Sequence, residues 1–238
     1  MKKDISFASA KKLVDQFDGW LSPREEKFLY RAAKHAPKGG SIVEIGSWQG
    51  KSTTCLAYGT MAGHQVNVYA IDPHEGSIEQ KDQLAKLENK SSLSKFKQNV
   101  KKARIDKTVI PIIKKSEDAA KEWKMPISFL WIDGDHRYEV AKSDFDLYSP
   151  FVIEKGIIAF HDSTQNNVPR VVYESFKKKG FRNICLVDSI AYAQKISSKH
   201  KRVKDYFILF LIKNYSNFRK LKIFKYFKDY LKRVIAKI

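Results

Sequence analysis

The chain has 238 residues, of which 43% are hydrophobic and 30% charged. This composition is typical of a packed globular protein and excludes a largely disordered chain. The length allows one sizeable domain and an appendage. No apolar run approaches the roughly 18 residues of a membrane-spanning helix, and the N-terminal stretch lacks the apolar segment of a signal peptide. We therefore expect an intracellular, cytoplasmic protein.

The formal net charge is +19, and it is concentrated at the C-terminus. Residues 199–238 contain 13 Lys and Arg against two acidic residues, whereas the preceding 198 residues contain 32 against 24. We expect a domain over 1–198, with a helical lead-in over 1–40, and a basic extension over 199–238. The two cysteines, Cys55 and Cys185, lie in apolar stretches without metal-binding spacing, which predicts buried thiols rather than a disulfide.

The first confident element is a helix over 22–36, with Ser22 as N-cap, Pro23 in its first turn and Glu25 three residues after the cap. Beyond it, short β-branched and aromatic runs alternate with polar segments that favour helices, such as 51–62, 79–104 and 139–153. This alternation predicts an α/β protein with a Rossmann-like, doubly wound, mostly parallel sheet, helices on both faces and an antiparallel edge pair. The predicted strands are 41–46, 66–72, 108–113, 127–133, 156–162, 182–188 and 190–196.

A glycine turn, "EIGSWQGKS", follows the first strand and opens into a helix. A phosphate-binding P-loop needs four residues between its glycines, and only three separate Gly46 from Gly50. A dinucleotide fingerprint needs a glycine at position 48, which is Trp48. The remaining pattern is ExGxxxG, with Asp72 at the end of the second strand, where a carboxylate can accept both hydroxyls of a ribose.

This pattern resembles the class I S-adenosylmethionine (SAM)-dependent methyltransferases. A second stretch, "FLWIDGDHRYEVAKSDFDLYSPFVIEKGIIAFHD", resembles the branch that includes macrocin O-methyltransferase-like and other sugar-tailoring or polyketide-tailoring enzymes. The resemblance covers about residues 18 to 195. It implies SAM as cofactor, with Ser116 and Glu117 at the adenine, although a helix N-cap with its first-turn acid is an alternative for this pair. The other implied cofactor-binding residues are Glu44, Gly46, Ser47, Gly50, Ser52, Asp72 and Asp133.

Acidic and imidazole side chains also follow the fourth and fifth strands, in "WIDGDH" and "FHD". The resemblance implies a metal that orients the acceptor hydroxyl, and carboxylates suit Mg²⁺. We expect Asp133, His161 and Asp162 as its ligands; alternatively, the two acids only cap loops. Methyl transfer to oxygen needs a general base, for which His136 is the first candidate and His161 the second.

Residues 222–238 predict an amphipathic helix with one basic and one aromatic-aliphatic face. Such a helix can lie on an anionic membrane surface. It can also dock on the body of the protein or on a second copy in a homo-oligomer. Binding to nucleic acid is a third alternative, which the lack of an RNA-binding signature disfavours. We expect an O-methyltransferase acting on a sugar, glycolipid or related small molecule, with a lipid-linked saccharide acceptor and peripheral contact at the inner membrane face through 206–238. The alternatives are a non-catalytic membrane-surface or scaffold protein on this fold, and an RNA methyltransferase.

Overall fold

Seven strands form one sheet in the computed structural model, which describes residues 4–77, 80–87, 90–197 and 202–215. The strands are β1 (Ser41–Ile45), β2 (Val68–Ile71), β3 (Val109–Ile112), β4 (Ile127–Ile132), β5 (Val152–Phe160), β6 (Phe181–Val187) and β7 (Ile190–Lys195). Their order across the sheet is β3-β2-β1-β4-β5-β7-β6. The strand order reverses between the neighbouring strands β1 and β4. Ligands bind at such a point in open α/β sheets.

The first five strands pair in parallel, and β7 pairs antiparallel with both β5 and β6. This confirms the predicted Rossmann-like sheet with an antiparallel edge pair. Ile45 is in register with Ile71 and Ile132, and Ile132 with Phe160. The residues that follow β1, β2, β4 and β5 therefore meet at one edge of the sheet, the carboxyl edge.

The helices cover both faces of the sheet. Their bounds are α1 (Phe7–Val14), α2 (Pro23–Lys34), α3 (Lys51–Met61), α4 (Lys81–Leu84), α5 (Leu93–Lys102), α6 (Ser116–Glu122), α7 (Tyr138–Tyr148), α8 (Val168–Phe176) and α9 (Val203–Lys213). A 3-10 turn at Ser149–Phe151 follows α7. The buried side chains of α1, α2, α3 and α5 join one core cluster, and those of α6 to α9 join the other.

The start of α2 has the predicted capping box. The backbone N–H of Glu25 donates to the Ser22 hydroxyl, and the Glu25 carboxylate accepts from the Ser22 backbone N–H. The segment 79–104, in contrast, holds two helices rather than one. Ser92, whose N–H donates to the His74 carbonyl and whose hydroxyl pairs with the His74 ring at 2.8 Å, fixes the separate start of α5.

Helix α9 packs on β6 and α8, so the first part of the basic extension joins the body. Its buried face includes Ile208 and Leu211, and the buried Asp205 accepts from the backbone N–H of Ile184 at 2.8 Å. Its other face exposes Tyr206 and Phe207. The amphipathic segment 222–238 lies outside the described residues. Within the described part, no helix is long and apolar enough to cross a bilayer.

Both cysteines are buried free thiols, as the sequence predicts. Cys55 lies on α3 and Cys185 on β6, within the packed layers. Burial raises the pKa of the Cys55 thiol, which disfavours the reactive thiolate. We therefore assign neither cysteine a chemical role.

Candidate active site

The glycine turn after β1 holds two glycines in left-handed conformations. Gly46 has a φ of +84°, and a Cβ there would lie 2.2 Å from the carbonyl oxygen of Asp133. The close approach that requires glycine is therefore to the end of β4. Gly50, the N-cap of α3, has a φ of +88°, and a Cβ there would meet the Phe96 ring at 3.3 Å. Gly50 lines neither cavity of the site, and its contact with a ligand stays a prediction.

Glu44 lies beneath this turn and is fully buried. Its carboxyl group accepts hydrogen bonds from the hydroxyls of Ser52 and Thr53 in the first turn of α3. Burial, together with the nearby charges of Asp133 and Asp72, raises the pKa of Glu44 to about 8 despite those hydrogen bonds. Glu44 lines neither cavity. The predicted cofactor-binding role becomes a positioning role, in which Glu44 ties β1 to the start of α3.

Asp72 ties the glycine turn to the end of β2. Its Oδ2 accepts from the backbone N–H groups of Ser47 and Trp48, both at 2.8 Å, and its Oδ1 accepts from the N–H of His74 at 2.7 Å. These bonds accompany the left-handed φ of +46° at Trp48, a conformation that a bulky residue rarely adopts. Asp72 also borders a cavity, and its contact with a ribose stays a prediction.

That cavity, called here the nucleoside cavity, has a volume of about 350 Å³ and extends from Asp72 to the start of α6. Ser116 and Glu117 both line it. Lys115 rather than Ser116 is the N-cap of α6, because the Ser116 hydroxyl donates instead to the carboxyl group of Asp144. The helix-cap alternative for Ser116 is therefore wrong. Asp144, to which the sequence assigns no chemistry, also borders the cavity.

A second cavity of about 310 Å³, called here the acceptor cavity, adjoins the first along Gly46, Trp48 and Asp133. Ser47 and Ser52 line it. The Ser47 hydroxyl oxygen is buried and has no hydrogen-bond partner among the described residues. Buried polar atoms normally have partners, so this hydroxyl is a candidate to bind a ligand. The lining of the acceptor cavity also includes Asp18, Trp20, Lys51, His136, His161, Asp162 and Gln165.

His161, directly after β5, lies among three carboxylates. Its Nδ1 is 3.1 Å from Asp133 Oδ1 and 3.2 Å from Asp162 Oδ2, and its Nε2 is 3.7 Å from Glu25 Oε2. Burial disfavours the charged ring, but the charge of Asp133, the hydrogen bonds to Asp133 and Asp162 and the Glu25 carboxylate 3.7 Å away outweigh it and raise the pKa of His161. His161 is therefore an imidazolium, which cannot act as a general base or ligate a metal while it stays protonated.

Glu25 is a site residue that the sequence interpretation limited to helix capping. Its Oε1 accepts from both the N–H and the hydroxyl of Ser189, at 2.8 and 2.7 Å, in the turn between β6 and β7. One carboxylate thus joins the start of α2, this turn and His161. In the sequence, Glu25 is marked only by its position in a capping box. That position does not reveal His161, 136 residues further along the chain, as its partner.

His136 lies between the carboxylate cluster and the acceptor cavity. Its Nε2 is 3.3 Å from Asp162 Oδ2, and its side chain is 20% exposed. The amide of Gln165 donates to the other oxygen of Asp162 at 2.7 Å. Asp135 makes a bidentate ion pair with Arg137 instead. His136 is therefore the histidine of this cluster that is oriented by a carboxylate and open to the acceptor cavity.

The predicted Mg²⁺ site can be tested against this donor set. Among the described residues, Asp133, His136 and Asp162 offer ligand atoms within 4.8 Å of one another. Mg²⁺ prefers oxygen ligands in octahedral geometry, and a cation here would compete with the His161 imidazolium for both carboxylates. Asp133 and Asp162 would hold such a cation through oxygen ligands if it replaced the His161 proton as their positive partner.

Residues 43–163, half of the chain, match a family described as a methyltransferase domain. The chain belongs to this methyltransferase family. It is also 30% identical over 124 residues to an uncharacterized protein of Acanthamoeba polyphaga mimivirus. The match covers 51% of each protein, so this methyltransferase spans about half the length of that curated relative.

Several solved structures share the fold. Cofactor-bound Rv0187 from MTB superposes with a TM-score of 0.58 at 18% identity, over 82% of this chain and 92% of that one. The O-methyltransferase NovP superposes with a TM-score of 0.57 at 16% identity, over 73% of this chain and 80% of that one. The O-methyltransferase from Bacillus cereus was solved in complex with S-adenosylhomocysteine (SAH). It superposes with a TM-score of 0.56 at 18% identity, over 82% of this chain and 93% of that one.

Proposed function

We propose that this methyltransferase moves the methyl group of SAM to a hydroxyl of a sugar, glycolipid or related small molecule. The observation that carries the proposal is the contact between two cavities along Gly46, Trp48 and Asp133, with His136 on the acceptor side. A nucleoside-bearing methyl donor and a separate acceptor need such adjoining spaces. The family membership supports the same reaction class.

The residues around the nucleoside cavity fit SAM. Asp72 would accept from the ribose hydroxyls, and Ser116 and Glu117 would border the adenine. The unpartnered hydroxyl of Ser47, in the adjoining acceptor cavity, can bind the polar methionine end. The cofactor supplies an electrophilic methyl on a sulfonium. The carboxylates of Asp72 and Asp133 favour this positively charged ligand through their own negative charge.

The chain's own contribution to transfer is to position the acceptor and remove its proton. The acceptor oxygen forms a bond to the methyl carbon as the carbon–sulfur bond breaks, leaving SAH, and the hydroxyl proton passes to His136. Asp162, 3.3 Å from His136 Nε2, orients that ring. The His161 imidazolium balances the charges of Asp133 and Asp162. This division leaves His136 as the single proposed base.

Cofactor binding is tested first by titration calorimetry with SAH, comparing the wild-type chain with Asp72→Asn. We expect micromolar binding and a weakening of at least about tenfold in the variant, because one ribose hydroxyl loses its charged acceptor. Asparagine keeps one oxygen for the amides of Ser47 and Trp48 but turns its NH2 toward the N–H of His74, so circular dichroism and thermal denaturation must show that the variant is folded. The absence of SAH binding to the wild-type chain would contradict the proposal. Repeating the titration with Mg²⁺ tests the metal prediction.

Transfer itself is tested with SAM labelled on its methyl group, incubated with extracted lipid-linked saccharides or with sugar nucleotides. We expect label in an alkali-stable product, because a methyl ether resists the hydrolysis that cleaves a methyl ester. His136→Gln should lower the rate about 100-fold or more while SAH affinity stays within about twofold. Label in RNA instead would support the rival function.

We further propose that the C-terminal part contacts an anionic membrane surface. Tyr206 and Phe207 are exposed on α9, and 13 basic residues against two acidic ones follow position 198. Each cation near an anionic lipid surface contributes about 1 kcal/mol. Co-sedimentation should therefore favour phosphatidylserine over phosphatidylcholine vesicles and weaken with salt. Equal partition into both vesicles would contradict this contact and favour docking on protein.

A further inference from the structure

We propose that Trp20 and Trp48 form an acceptor platform that binds the apolar face of a neutral pyranose ring. The inference rests on the proposed function and specifies its acceptor subsite. Both indoles line the acceptor cavity, which also contains His136. A ring bound there would lie in the same cavity as the proposed base.

The two indoles face each other at the cavity. Their ring centroids are 6.0 Å apart with an interplanar angle of 40°. Trp20 is 55% exposed, whereas Trp123 and Trp131 are 5% and 0% exposed and belong to the core. An exposed indole that borders a cavity is a common ligand contact, because tryptophan provides a large, rigid apolar surface.

Trp20 is held by an anchored segment on both sides. Before it, Gly19 adopts a φ of +151° and packs against Lys51, whose carbons would lie 3.1 Å from a Cβ at this position. After it, the Ser22 hydroxyl and the Arg24 guanidinium donate to Asp188 at 2.7 and 2.8 Å. The exposure of Trp20 is therefore imposed by packing and hydrogen bonds around it.

The charges around the cavity favour a neutral ligand. Its acidic members, Asp18, Asp133 and Asp162, outnumber its fixed cations, Lys51 and the His161 imidazolium. The Lys51 ammonium also lies 3.7 Å from the buried carboxylate of Glu26. A phosphate or an acidic sugar would lie beside the carboxylates of Asp18 and Asp162 here, although the chain as a whole carries +19.

The remaining lining favours a ring that bears several hydroxyls. Gln80, Gln83 and Gln165 line the cavity; Gln80 Oε1 accepts from Ser77 N–H and Gln165 Nε2 donates to Asp162, which leaves Gln80 Nε2 and Gln165 Oε1 for ligand hydroxyls. A pyranose has an apolar C–H face, which packs on the negative face of an indole, and a polar rim. The two indoles contact each other at 6.0 Å and 40°, so a ligand ring would pack on their open faces rather than between them.

The experiment is saturation-transfer difference NMR on the SAH-loaded chain, with methyl glycosides of glucose, galactose, mannose, rhamnose and xylose as separate probes. Adenosine and catechol serve as flat competitors. We expect at least one glycoside to receive saturation at its ring C–H protons and to lose affinity about tenfold in Trp20→Ala. Trp20→Phe should retain most of the binding, and Tyr206→Ala, an exposed aromatic on α9, is the matched control.

SAH calorimetry on each variant separates the two proposals. If SAH does not bind to the wild-type chain, the methyltransferase proposal fails. If SAH binds and no glycoside receives saturation, or if Trp20→Ala binds the glycoside as tightly as Tyr206→Ala does, the platform is overturned while the methyltransferase proposal stands. Preferential saturation of adenosine or catechol also overturns it. Loss of glycoside binding in Trp20→Ala with SAH affinity unchanged supports it.

Discussion

Two buried glutamates in this molecule have opposite electrostatic environments. Glu25 is 4% exposed, and the charged His161 ring 3.7 Å away, together with hydrogen bonds from Ser22 and Ser189, outweighs burial and lowers its pKa to about 2. Glu44 is 0% exposed and has only hydroxyl donors, so burial raises its pKa to about 8. Similar burial thus gives an ionised carboxylate in one region and a largely neutral carboxyl group in the other.

This difference shows that the groups around a buried carboxyl group, rather than its degree of burial, decide whether it is ionised. A cation and backbone amides replace the water that a carboxylate loses on burial, whereas two hydroxyls replace it only in part. The ionised region orders the acceptor side of the site, and the neutral one supports the cofactor side. Three substitutions can break or sharpen this contrast.

The largest effect is expected for His161→Gln. The change removes the cation that Asp133, Asp162 and Glu25 surround, and we expect the free energy of unfolding to fall by about 3–5 kcal/mol. Urea denaturation measures it. His136→Gln, at a partly exposed position in the same cluster, should lower stability by less than about 1 kcal/mol. Equal losses in the two variants would contradict the assignment of His161 as the structural cation.

A smaller loss, about 2 kcal/mol at pH 7, is expected for Glu25→Gln, because a charged acceptor disappears from the Ser189 turn. The depressed pKa of Glu25 stabilises the native state above about pH 4.5, and this contribution is lost as the pH falls toward 2. The variant should therefore show a shallower acid transition. Glu122→Gln, whose side chain is 75% exposed, is the control, and a similar acid transition in both variants would count against the Glu25 assignment.

At about pH 4.5, the smallest effect of the three is expected for Glu44→Gln, because Glu44 is neutral in the folded chain at that pH. The raised pKa of Glu44 means that the folded chain holds a proton that the unfolded chain releases above about pH 4.5. Wild-type stability should fall between about pH 4.5 and 8, by up to about 1.4 kcal/mol per pH unit. The variant should lack this slope, so its stability relative to wild type rises with pH. Parallel pH profiles from urea titrations would show that Glu44 is ionised.

Much of the fold and part of the site follow from local sequence. The alternation of strands and helices predicts the sheet and its antiparallel edge, and ExGxxxG with Asp72 indicates the switch-point cavity. The ExGxxxG motif does not reveal that Glu44 is buried beneath the turn or that Gly50 packs against Phe96. The roles of Glu25 and Trp20 could not be predicted from the sequence because their partners lie in distant segments of the chain.

The sequence by itself determined the class of the fold and the edge at which the site lies. Hydrophobic periodicity and glycine conformations act over a few residues, and the carboxyl ends of parallel strands necessarily meet. Only the tertiary structure decided that His161 is a cation, that His136 opens to the acceptor cavity and that Trp20 faces Trp48. Charge state and cavity shape depend on groups brought together across the chain, because electrostatic and packing energies depend on distance in space rather than along the sequence.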